Sequence, residues 1–169
     1  ERARKHFDAY AASQVTHKPQ VKQHPAQDPE MNLARSIKEW GTPQYSNGYI
    51  CRNPNRNDQM HHYDMNLCYT DELLWHFNWT GDLAYARKMW PVLVRHLDWE
   101  KRNFDPNNDG LYDAYACIWA SDALYYNSGA VTHSSAYNYR ANKMAAEIAR
   151  LIGEDPTPYA SEAAQILKA

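Results

Sequence analysis

The chain has 169 residues, and 18 Lys+Arg against 20 Asp+Glu give a net charge of -2, with no electrostatic footprint for nucleic acid. No apolar run approaches the roughly 18 residues that span a bilayer, while 44% hydrophobic residues suffice for a core. The aromatics are skewed, with 13 Tyr and 6 Trp to 3 Phe, and flat rings with polar tips suit a wet concave surface.

Residues 1–13 read as a short helix, and the stretch to Asn32, with Pro19, Pro25 and Pro29 among Gln, His and Lys, reads as an extended linker. A helical turn is expected over 33–40, stopped by Gly41 and Pro43. A long polar loop rich in Asn, Arg and Tyr follows to Met60, and loops of that length tend to be functional.

From His62 to Trp79, apolar residues recur at three- and four-residue steps (Met65, Tyr69, Leu73 and the ring of His76), which predicts a helix. Gly81 then caps it and Asp82 opens the next. That second helix is expected over 83–103, carrying Ala86, Met89, Trp90, Leu93, Leu97 and Trp99, with a kink at Pro91. Asp105–Gly110 ends it. Residues 111–129 are aromatic without a clean period and read as irregular or as short strand pieces. Helical spacing returns over 131–152, with Met144, Ala145, Ile148 and Leu151 on one face. Gly153-Glu154-Asp155 repeats the earlier break, and Pro156 or Pro158 starts a last helix through Leu167. The order helix, Gly-acid, helix thus occurs twice, as in a tandem series of helical hairpins.

The chain opens at Glu1-Arg2-Ala3-Arg4 without Met and closes inside a helical pattern, so it reads as an excerpt of a longer polypeptide. Cys51, Cys68 and Cys117 form no CxxC pair and read as thiols, or at most one bridge.

Three chemistries are weighed and set aside. Asp105, Asn107, Asp109 and Gly110 copy the start of a calcium loop, with Asp113 ninth, but Ala116 stands where a bidentate Glu is needed. Asn, Asp and Gly are also ordinary turn formers. His61, His62 and His76, with Cys68 and Asp64, lack metal-ligand spacing. There is no GxSxG elbow for a nucleophile, and the Asn78-Trp79-Thr80 sequon is a pattern chance often produces.

What remains is carboxylates among aromatics: Asp113 and Asp122 with Tyr112, Tyr115, Trp119, Tyr125 and Tyr126. Flat rings bind the C–H faces of a sugar, and polar groups bind its hydroxyls. Glycosidic cleavage needs one carboxylic acid on the leaving oxygen and a second carboxylate opposite. A carboxyl beside Trp119 and Tyr125 would be partly desolvated and held protonated. The plainer alternative has Asp122 capping a helix and the tyrosines packing between helices.

Thr80-Gly81-Asp82, then Met89-Trp90-Pro91-Val92-Leu93, Trp99, and Asp109-Gly110-Leu111-Tyr112 together resemble the six-hairpin glycosidases. This α/α-toroid superfamily includes mannosyl-oligosaccharide glucosidase, trehalase and the α-rhamnosidases. Ser134–Tyr139 through Gly153, and Tyr159 with Ala163-Ala164, are similar to its next inner and outer helices. The family's active-site loop reads roughly Trp-Glu-Ser-Gly-x-Asp, and its Asp is the general acid. Trp119-Ala120-Ser121-Asp122 falls at the matching place, with Ala120 where the family has Glu.

The resemblance implies an all-α fold, part of an α/α toroid over residues 47–169, with residues 1–46 as an N-terminal helix and linker. It implies the N-terminal part of an inverting glycoside hydrolase acting on an oligo- or polysaccharide. Asp122 would be the acid, Asp113 the reserve, and Trp119, Tyr125 and Tyr126 the sugar platform. Tyr49, Arg52, Arg56, His61 and Asp64 would reach the mouth of the toroid; the structural alternatives are solvated arginines and Asp64 as a helix cap. The general base would lie beyond Ala169, in the remainder of the polypeptide, which is the expected protein partner. No cofactor, metal, nucleic acid or membrane is called for, and a periplasmic or secreted location is favoured. The alternatives are a non-catalytic carbohydrate-binding domain on the same fold or a helical-repeat scaffold.

Overall fold

The computed structural model describes residues 1–17, 46–50, 54, 64–113 and 130–169, and the backbone of two short strand pairs at 27–28, 33–34, 116–117 and 125–126. The protein is mostly helical. Its elements in chain order are α1 (Arg2–Ser13), β1 (Gln27–Asp28), β2 (Leu33–Ala34), α2 (Asp64–Thr80), α3 (Leu83–Phe104), β3 (Ala116–Cys117), β4 (Tyr125–Tyr126), α4 (Thr132–Ile152) and α5 (Thr157–Lys168). β1 pairs with β2 and β3 with β4, both antiparallel.

The helices start and stop where their sequence says they should. Gly81 takes φ +57° at the end of α2, and its N–H donates to Phe77 O at 2.9 Å. Asp82 then caps α3, its Oδ1 accepting from Tyr85 N at 2.9 Å. Gly153 ends α4 at φ +87°, a left-handed conformation that turns the next N–H, that of Glu154, back onto Ala149 O at 2.9 Å. α3 runs on through Pro91, which lies on its exposed side.

The core forms where the stripes of α2, α3 and α4 meet. Leu73, Leu74 and Phe77 of α2 pack with Ala86, Met89, Trp90, Leu93 and Leu97 of α3 and with Met144, Ala145 and Ile148 of α4. Each large side chain removed from water there contributes about 1.5–3 kcal/mol. α1 shares this core through Phe7, and Tyr69 donates to the Phe7 carbonyl at 3.0 Å. Lys88 and Tyr85 of α3 hold Asp8, and Arg4 pairs with Asp82.

Helix directions follow from these contacts. α4 begins where α3 ends and runs beside α2 in the same sense, so Thr70 and Asp71 meet Tyr137, Asn138 and Ala141. α5 returns along α3, with Tyr159 against Trp90 and Glu162 bonded to Lys101. Two helix–turn–helix units therefore stand side by side, α2–α3 and α4–α5.

Two expectations need correction. Leu33–Ala34 is a strand paired with Gln27–Asp28, not the opening of a helical turn, while 35–40 lie outside the described residues. Leu151 is 61% exposed, because the buried stripe of α4 passes through Ala145, Ile148 and Ala149 and leaves Leu151 off its edge.

Candidate functional site

The N-terminal ends of α2 and α4 and the C-terminal end of α3 meet at one end of the bundle, and two segments of the chain leave from it. The first departs from residues 46–50. Gly48 N donates to Val15 O, Val15 N to Tyr49 O, and Ile50 N to the Asn66 side chain in the first turn of α2. Arg102 of α3 adds a bond to Asn47 O at 2.6 Å. The second segment departs after α3, and the described residues resume at Ala130.

Asp105 organises the second departure. Its fully buried carboxylate accepts from Asp109 N at 3.0 Å, Gly110 N at 3.1 Å and Lys101 Nζ at 2.6 Å. Asp109 in turn receives Leu111 N and the Asn107 side chain. The oxygens that copy a calcium loop are thus engaged in closing the turn. Among the described residues no group of three or more His, Cys, Asp or Glu is placed to hold a metal.

Tyr112 then enters the interior at 1% exposure, its hydroxyl donating to Glu162 of α5 at 3.0 Å. Its N–H donates to Ser135 Oγ, and its carbonyl receives Val131 N. Asp113 follows, with its N–H on Phe104 O at 2.7 Å and a bridge to Ala130. The stem of the aromatic segment is therefore clamped between the end of α3 and the start of α4. Beyond it, β3 pairs with β4 in the register Ala116 to Tyr126 and Cys117 to Tyr125.

Burial pushes the Asp113 carboxyl up to about 6, with the charges of Asp109 and Asp105 adding to the effect. A carboxyl titrating there is half protonated near pH 6 and able both to give and to take a proton.

Comparison with protein-family models, curated proteins and solved structures returns no match.

The expected site residues fall into four groups. Asp113 stands at the stem of the aromatic segment, as described. Tyr49 is 1% exposed with its ring 5.4 Å from that of Trp99, so burial gives it a packing role in place of an open seat for a sugar. Asp64 is the first residue of α2, and Tyr125 and Tyr126 form β4. Asp122, Trp119, Arg52, Arg56 and His61 lie outside the described residues.

A polar cluster that no sequence motif marks lies inside the bundle. His96 and Glu100 of α3 and Asn138 of α4 are each 1% exposed. The signal was present: Glu100 lies on the stripe Leu93, Leu97, Phe104, where an acid is out of place.

Proposed function

We propose that the chain is the N-terminal part of a glycoside hydrolase catalytic domain that cleaves an oligo- or polysaccharide with inversion. One observation carries the reading: a carboxyl raised to about 6 stands at the stem of a Tyr- and Trp-rich segment, at the end of the bundle from which both segments depart. Side-by-side hairpins with that arrangement fit an α/α toroid, and the loop motif makes Asp122 the acid, with Asp113 in reserve. Trp119, Tyr125 and Tyr126 supply faces for a sugar ring. A second carboxylate from the remainder of the polypeptide activates water across a gap of about 6.5–9.5 Å. Two carboxylates carry this chemistry without a cofactor.

Ala120, at the position of the family's Glu, favours a second reading, a carbohydrate-binding domain without turnover. The full polypeptide is assayed for release of reducing ends over a panel of oligo- and polysaccharides. The hydrolase reading expects turnover that Asp122→Asn lowers by about 10²–10⁴ while sugar binding persists. Binding without turnover establishes the second reading. Neither binding nor turnover leaves a helical-repeat scaffold.

A further inference from the structure

Glu100 and His96 lie one turn apart on α3, both 1% exposed, with Glu100 Oε1 3.8 Å from His96 Nε2. Asn138 of α4 reaches the other carboxyl oxygen, donating from Nδ2 to Oε2 at 3.3 Å, and gives its second amide hydrogen to Ser134 O at 3.0 Å. Among the described residues, Glu100 Oε1 and His96 Nδ1 have no hydrogen-bond partner. His96 stacks on Trp99 and shares a small cavity with Thr70 and Asp71 of α2. Three helices thus converge on one acid and one imidazole.

A bare carboxylate here would be charged, dry and bonded to a single amide, which costs several kcal/mol. A bare imidazolium would be no better placed. The charges on neighbouring elements are already matched. Asp71 of α2 is held by Arg140 of α4, and Glu162 of α5 by Lys101 and the Tyr112 hydroxyl. Lys101 also holds Asp105. None of them is spare to balance a charge on the pair.

We infer that Glu100 and His96 together hold one proton and form a pH-sensitive joint between the two helical hairpins, neutral when that proton is present and forced apart when it leaves. Burial acts on both partners in this direction. It pushes Glu100 up to about 8 from 4.5, eased only by the Asn138 bond, and pulls His96 down to about 3 from 6.5.

The consequence for stability has a definite sign. Above pH 4.5 an unfolded Glu100 is ionised while the folded one keeps its proton, so Glu100 costs stability as pH rises toward 8. Below pH 6.5 an unfolded His96 gains a proton that the folded one refuses, so His96 costs stability as pH falls toward 3. The two slopes cancel between 4.5 and 6.5, and stability falls away on either side.

Urea unfolding of the chain at a series of pH values tests this. Between pH 6.5 and 9 the folding equilibrium constant should drop about 20-fold in the wild type. In Glu100→Gln, which keeps the Asn138 bond but cannot ionise, it should hold level. An equal drop in both proteins overturns the joint. A second measurement stands even if that variant fails to fold. Infrared spectra of the wild type should show a neutral carboxyl at pH 7 that disappears through about pH 8, and a fully ionised spectrum at pH 7 overturns a proton held on Glu100.

Discussion

Arg140 of α4 reaches across to Asp71 of α2, its Nε 2.5 Å from Asp71 Oδ1, and lays its guanidinium 4.7 Å from the ring centre of Trp75. One side chain thus ties the two parallel helices by an ion pair and by stacking. Trp75 is 47% exposed and, without the guanidinium above it, would present an open apolar face. The ion pair is partly solvated, so its share is under about 1 kcal/mol, with about the same again from the ring. Arg140→Ala should therefore cost about 1–2 kcal/mol in urea unfolding. Arg140→Lys should recover less than half of it, because an ammonium cannot stack flat while it pairs. Full recovery by Lys would show that charge alone matters.

Asp105 is where a short loop depends most on one side chain. Removing its carboxylate leaves two backbone N–H groups without an acceptor in a buried turn and leaves the Lys101 ammonium with Glu162 alone. Asp105→Ala should cost about 3–5 kcal/mol, the range for breaking one side of a buried charged network. Because those oxygens are occupied by donors, a chelator should leave the wild-type melting temperature unchanged. A shift of several degrees on adding calcium would show the loop opening around a metal.

The helical framework was legible because local signals and burial agree. On α3, the apolar residues Ala86, Met89, Trp90, Leu93, Leu97 and Trp99 mark the helix in the sequence, and all are buried. Capping chemistry at Gly81-Asp82 and Gly153 marked both turns, since a positive φ and a side-chain acceptor are properties of the residue itself. Pairing partners were not legible. Leu33–Ala34 joins Gln27–Asp28 through backbone bonds that leave no periodic trace in so short a run. Polar residues on apolar stripes were also hard to interpret, because Glu100 becomes meaningful only once Asn138 arrives from a helix 38 residues later. Asp113 stood out among aromatics, yet its raised carboxyl depends first on burial in the folded stem, with Asp109 and Asp105 adding their charges.

Gly48 and Gly153 both take positive φ, at +104° and +87°, but for different reasons. A Cβ at Gly48 would lie 2.1 Å from Arg95 O and 2.6 Å from Trp99 Cβ, so residues 46–50 could not seat on α3. At Gly153 nothing lies within 4 Å, and only the backbone conformation is at stake. Gly153→Ala should cost about 1 kcal/mol. Gly48→Ala should cost about 3 kcal/mol or more and loosen the Tyr49–Trp99 contact, seen as a change in tryptophan fluorescence. Equal penalties at the two sites would mean that the 46–50 segment does not pack on α3 in solution.

Asp113 gives a prediction in which stability and chemistry share one titration. Its folded pKa, about 6, lies above the ordinary 3.8, so the folded protein holds this proton more tightly than the unfolded chain does. The benefit is complete below 3.8 and is lost as pH rises through 6. A shift of about two units corresponds to about 3 kcal/mol, reduced by solvent screening at a half-buried group to about 1 kcal/mol. Asp113→Asn should therefore be more stable than the wild type at pH 7 by about 1 kcal/mol, with the difference vanishing near pH 3.5. The sign at pH 7 is the decisive reading. A variant that is less stable there would mean that the carboxylate is held by a cation, and an acid in that state is a poor proton donor. A gain in stability combined with lost turnover is the pattern expected of a group kept strained for its chemistry.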